Sequence, residues 1–133
     1  MSQENVELVQ RSFVAFNAGG IDALMAFYAP DTVWYSLPEW LEDPVYRGHD
    51  GARKLSAAFT DSFDDVTFEL HDIRDAGIQV VAHAVMNGET KDSAVSTRQS
   101  LGIAYSDFPN GMIGELRYFP SWDDALKAVG LAE

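Results

Sequence analysis

The sequence predicts an α+β fold in which three N-terminal helices pack against a strongly curved antiparallel sheet and a short helix closes the chain. Three observations lead there. In residues 3–28 and again from 48 to 63, apolar side chains recur at spacings of three and four, the stripe of an amphipathic helix. From residue 66 to 119 the pattern changes to alternation by two. Glycine, asparagine and proline signals divide that second part at hairpin spacing.

Each element follows in order. Val6, Val9, Phe13 and Phe16 share one face of a helix over residues 3–18, with Ser2 as N-cap and Glu4 in its first turn. Gly19-Gly20 ends it, because glycine accepts the left-handed backbone of a C-cap. Ile21, Leu24, Phe27 and Tyr28 give a second short helix that Pro30 stops. Thr32 to Ser36 is β-branched and aromatic, a strand. Residues 37–48 read as irregular, since Pro38 and Pro44 interrupt any ladder, although Trp40 and Tyr46 make this loop unusually aromatic. A third helix starts at Gly48 or Asp50, buries Leu55, Ala58, Phe59 and Phe63, and breaks at Asp64-Asp65. Strands are predicted over Val66–Arg74, Ile78–Gly88, Val95–Ser106 and Met112–Phe119, with turns at Ala76-Gly77, after Asn87-Gly88 and at Pro109-Asn110-Gly111. Trp122–Val129 forms the last helix, capped by Ser121 and ended by Gly130, and Gly102 and Gly114 mark bends within strands.

The 133 residues fit a single domain over 1–133, long enough to hide about two-thirds of the unfolded surface. An apolar share of 47% with 8 Phe, 5 Tyr and 3 Trp supports a full core with space for a pocket. A net charge of −12 repels phosphate backbones, which argues against a nucleic-acid partner. The absence of cysteine excludes a disulfide scaffold, a thiolate metal site and a cysteine nucleophile. No apolar run is long enough to span a membrane, and the N-terminus lacks the basic and apolar regions of a signal peptide, so a cytoplasmic location is expected.

Several runs together resemble a known family. They are Phe16-Asn17-Ala18-Gly19-Gly20-Ile21-Asp22-Ala23-Leu24, Tyr28-Ala29-Pro30-Asp31-Thr32-Val33-Trp34 and Tyr46-Arg47-Gly48-His49-Asp50-Gly51, then Asp75-Ala76-Gly77 and Asn110-Gly111-Met112-Ile113. In this order they are similar to SnoaL-like proteins of the NTF2-like superfamily, over essentially the whole chain. The resemblance implies a cone-shaped α+β barrel whose bent sheet is plugged by helices around an apolar cavity, and a homodimer through the outer sheet face. Its members include ketosteroid isomerases, polyketide cyclases, dehydratases, epoxide hydrolases and transport adaptors, so the chemistry has to come from the residues.

The isomerases' aspartate base corresponds to a stretch without a carboxylate, where Tyr35 takes its place; their tyrosine donor corresponds to Ser12, and their protonated acid falls near Gly102. Steroid isomerisation is therefore not expected. Among other candidates, Tyr28, Tyr35 and Tyr118 can present hydroxyls or simply pack. His83 is a potential acid/base, but alternation places it opposite the apolar set Val80, Ala82, Ala84 and Met86, on an outer face that a dimer could cover. Arg98 is an anion clamp if it points inward and a solvated arginine if outward, while Arg117 is expected to face out. Trp34, Trp40 and Tyr46 either rim an apolar ligand or anchor the loop. Phe13, Phe16, Phe59 and Leu116 complete the expected ligand-binding set. His49 reads as a capping residue; His71-Asp72 cannot pair in a regular strand, and histidine spacing supports no metal site.

Two functions fit. One is a small-molecule pocket protein for an apolar, cyclic ligand, with cofactor-free isomerase, cyclase or dehydratase chemistry on Tyr35, Tyr28 or His83. The other is a non-catalytic dimeric binding module using the outer face around Val81, His83 and Val85.

Overall fold

A computed structural model describes residues 2–37, 44–92 and 95–131. Helix α1 (Ser2–Met25) leads into strand β1 (Tyr28–Tyr35), the short β2 (Val45–Arg47) and helix α2 (Gly48–Thr60). Strands β3 (Phe63–Asp75), β4 (Gln79–Thr90) and β5 (Ser96–Ser106) follow, then a 3₁₀ turn at Pro109–Gly111, strand β6 (Ile113–Phe119) and helix α3 (Trp122–Ala128). The strands form one curved, open sheet in the order β2-β1-β6-β5-β4-β3. The cone is thus unclosed, with β2 and β3 as its edges.

The predicted break at Gly19-Gly20 is a kink inside α1, where Gly20 adopts φ 70° and the helix resumes as far as Met25. Beyond it the chain turns extended earlier than expected. Tyr28 opens β1 instead of ending a helix, because Pro30 disfavours helical backbone at the residue before it. Pro30 itself sits where the β1–β6 register shifts between Tyr28 and Val33, so its missing N–H removes no regular ladder bond. Phe63, expected on the third helix, instead begins β3.

Two further differences concern the sheet. Residues 45–47, read as irregular, pair with β1 as an edge strand. The expected antiparallel order holds for four of the five pairings, but β1 runs parallel to β6. Parallel neighbours need a long crossover, and here everything from β2 to β5 forms it.

Alternation then assigns the faces. Val80, Ala82, Ala84 and Met86 of β4 lie in one buried cluster with Leu101, Ile103 and Tyr105 of β5, which are their neighbours in register, and with residues of α1 and α2. Val81 and Val85 are also buried, but on the opposite, outer side. In β3 the register slips between Leu70 and Asp72. This bulge leaves Leu70 and Ile73 both packed on the core and puts His71 and Asp72 on the outer side together. A regular strand would have separated them, as the sequence suggests.

Helix α3 lies on that outer side. Ser121 caps it by accepting the Asp124 N–H at 3.1 Å. Gly130, at φ 81°, ends it with paired bonds from Gly130 N to Lys127 O and from Leu131 N to Leu126 O. Gly102 and Gly114 provide clearance. A Cβ on Gly102 would come within 2.4 Å of the Ala125 Cβ and 2.7 Å of the Ser121 carbonyl, so α3 seats directly on the sheet. Gly114 similarly admits the Asp107 carbonyl, which accepts its N–H at 2.6 Å.

Replacing Gly102 by alanine should lift α3 from the sheet and cost about 2–3 kcal/mol of stability. Urea unfolding should show a lower midpoint at unchanged m value, and an unmoved midpoint would contradict this packing.

Candidate functional site

The inner face of the sheet, α1 and α2 enclose a cavity of about 50 Å³. Its walls are largely aromatic. Phe13 and Phe16 of α1 meet Phe68 of β3 edge-on, with ring centroids 6.4 and 5.3 Å apart. Phe68 is held there through its backbone: the Asn17 side chain accepts its N–H at 2.9 Å and donates to its carbonyl at 2.7 Å. Tyr28 and Trp34 of β1 pack at 5.1 Å. Tyr105 and Ile103 of β5, Leu116 and Tyr118 of β6 and Leu55 and Ser56 of α2 complete most of the enclosure. Phe16, Ile21, Ser56, Thr60 and Val66 continue into a surface depression bordered by Arg53, Asp64, Asp65 and Lys91, which forms the mouth. Arg53 is ion-paired with Asp22 there.

No carboxylate, imidazole, amine or guanidinium lines the cavity itself among the described residues. Its polar groups are hydroxyls and one indole. Burial pushes the Tyr28 phenol well above its ordinary pKa, with Tyr105 and Tyr118 adding to the effect. Burial likewise raises Tyr105, with Tyr118 beside it, and burial alone raises Tyr118. The upward shifts favour the neutral phenol in all three, a form that can donate a hydrogen bond but is no base. The Ser12 hydroxyl donates a hydrogen bond to the Val9 carbonyl at 2.6 Å.

Of the sequence candidates, Phe13, Phe16, Tyr28, Trp34, Leu116 and Tyr118 come together in this wall. Four others do not. Trp34 faces inward, so its neighbour Tyr35 points to the other side of β1, where the Arg117 guanidinium lies 4.0 Å from its ring centre. Tyr46 is buried opposite Trp34 on β2 and belongs to the core, outside the cavity wall. Arg98 is on the outer face, paired with Glu69 at 2.7 Å and donating to the side-chain amide oxygen Oδ1 of Asn87 at 3.2 Å, so it is no inward anion clamp. His83 shares a 2.7 Å hydrogen bond with Ser100, stacks on Trp122 at 5.4 Å and tilts against His71. It has no access to the cavity from there. Trp40 and the Phe59 side chain lie outside the described residues.

His49 bonds the Tyr28 carbonyl at 2.9 Å through Nε2, which ties the start of α2 to β1. Tyr105 and Phe68 are wall residues absent from the sequence candidates. Both carry a legible signal, the alternations Leu101/Ile103/Tyr105 and Val66/Phe68/Leu70, once β4 has shown which face is inner.

The outer face has its own electrostatic centre. Hydrogen bonds from Asn87, His71 and Arg98, with the charge of Arg98, lower the Glu69 pKa to about 2. The folded state thus binds this proton more weakly than the unfolded chain. The resulting stabilisation is present above the ordinary value of 4.5 and is lost as pH falls towards 2. Comparing wild type with Glu69→Gln in urea should give a midpoint gap that is constant above pH 4.5 and closes by about pH 2. High salt should narrow the gap, since the network is solvent-exposed. A pH-independent gap would refute the assignment.

The SnoaL-like domain family matches residues 9–115. Solved structures agree on the fold. A putative SnoaL-like polyketide cyclase from Jannaschia sp. CCS1 has 18% identity and a TM-score of 0.73, with coverage of 98% of this chain and 94% of that one. SalBIII, described as an epoxide hydrolase/cyclase-like enzyme in pyran ring formation in the polyether salinomycin, has 18% identity, 90% and 93% coverage and a TM-score of 0.73. TerC, co-crystallised with polyporic acid, has 13% identity, 96% and 98% coverage and a TM-score of 0.76. No curated protein sequence matches the chain. The family match runs from Val9 in α1 through α2 and the strands as far as the start of β6, and the chain belongs to the SnoaL-like domain family.

Proposed function

We propose that this protein binds a small, apolar, ring-bearing molecule in the inner cavity. The observation that carries this reading is a buried wall of phenyl, phenol and indole rings with no charged side chain. Rigid aromatic faces hold a flat or cyclic ligand at small entropic cost. The co-crystallised polyporic acid of TerC is a precedent within the fold. At about 50 Å³ the cavity is smaller than the roughly 150 Å³ that benzene occupies in an engineered core. A ring therefore enters by displacing Phe16 and Ile21, the partly exposed residues shared with the mouth.

Ring closure or rearrangement by positioning suits this wall best. Holding a flexible substrate near its reactive geometry lowers the entropic part of the barrier, and protonated phenols stabilise charge that develops on oxygen. Tyr28, Tyr105 and Tyr118 are the residues for that role. Proton abstraction would need a base, and His83 faces the other side of the sheet.

A homodimer through the outer sheet face is the second reading. The exposed network of Glu69, His71 and Arg98 beside α3 is the surface it would use, because Val81 and Val85 are already buried within one chain. Light scattering over a concentration series distinguishes the two forms.

A thermal-shift screen with small cyclic hydrocarbons, ketones and quinones tests the pocket. At about a hundred times its Kd a ligand should raise Tm by roughly 5–10 °C. Ile21→Trp should block the mouth and abolish the shift while circular dichroism remains native. A shift that survives in Ile21→Trp would place the binding elsewhere.

A further inference from the structure

We infer that the ligand is a neutral ring bearing a hydrogen-bond acceptor, a ketone or ether oxygen, and that the indole N–H of Trp34 anchors it. The inference rests on the pocket reading above and narrows it to a chemical class. Trp34 is 2% exposed and forms part of the cavity wall. Its Nε1 is the one buried side-chain polar atom among the described residues without a hydrogen-bond partner. A buried donor left unpaired carries its full desolvation cost, and native proteins rarely tolerate that without a purpose. Further donors stand in the same wall, among them the phenols of Tyr28, whose ring lies 5.1 Å from that of Trp34, and of Tyr105. An oxygen with two lone pairs suits such a set.

The same wall argues against charged ligands. No lysine or arginine lines it, so a carboxylate would be buried without a counter-charge. No carboxylate lines it either, so a cation would have only ring faces to replace its hydration. The net charge of −12 attracts cations to the surface but supplies no partner inside the cavity.

Matched probes test this with ¹H–¹⁵N spectra of the intact protein. The three tryptophans give three indole signals, and the variants Trp40→Phe and Trp122→Phe identify that of Trp34. Cyclopentanone should bind and move the Trp34 indole proton downfield. Methylenecyclopentane, of similar shape, should bind about fivefold more weakly and leave the downfield shift absent. Cyclopentanecarboxylate and tetramethylammonium should bind at least about a hundredfold more weakly than the ketone. In Trp34→Phe the preference for ketone over hydrocarbon should fall to within about twofold; if that variant does not fold, the wild-type indole shift decides alone. Equal binding of ketone and hydrocarbon, an unmoved indole proton, or a charged probe binding as well as the ketone would overturn the inference and leave the pocket reading standing. If neither ring binds, the pocket reading falls with it.

Discussion

The register between β4 and β5 governs the molecule. Eleven consecutive pairs, from Gln79 with Ser106 to Glu89 with Ser96, run without a shift. A slip by one residue would move every side chain of a strand to the opposite face. Val80, Ala82, Ala84 and Met86 would leave the core, and His83 would enter it. Were β5 the strand displaced, Tyr105 would instead leave the cavity and Gly102 would no longer lie beneath Ala125. The apolar alternation of both strands and the seating of α3 therefore reinforce one pairing. The cavity inherits its composition from that pairing, because its deeper wall consists of inward residues of β5 and their neighbours on β6 and β1.

What the cavity offers follows from burial. A phenol in water is a weak acid that is seldom ionised; in this wall it is held still more firmly in its neutral form. The site is thus rich in donors and poor in groups able to take a proton. The acid-rich composition does not alter this, since the carboxylates that the structure describes lie outside the cavity wall. Glu69 illustrates the separation: its carboxylate stands on the outer face, paired with Arg98 and bonded to Asn87 and His71. Two kinds of polar chemistry thus occupy opposite sides of one sheet.

Much of this was legible in the sequence where the cause is local. Gly19-Gly20 announces the kink, Ser121 and Gly130 bracket α3, and the alternation of β4 shows that His83 faces away from the core. Non-local causes were not legible. Nothing in residues 45–47 reveals that they pair with β1, and nothing in Tyr28–Tyr35 reveals a parallel partner some eighty residues later. The bulge at His71 depends on one surplus residue opposite His83, which alternation within β3 alone cannot disclose. Tyr35 illustrates the consequence for a site. Correspondence with a family position suggested a catalytic place, but the inward turn of Trp34 sends the next side chain outward, to Arg117.

The bond between Asn17 and Phe68 has a meaning beyond the cavity. Strand β3 is an edge, and edges offer unpaired N–H and C=O groups to any extended chain that approaches. By engaging both backbone groups of Phe68, the Asn17 amide imitates a neighbouring strand for the length of one residue. A foreign strand would find that position occupied, and a few residues further on the bulge at His71 spoils the even spacing a new ladder requires. The helix that roofs the cavity therefore also fills one position along the open edge of the sheet.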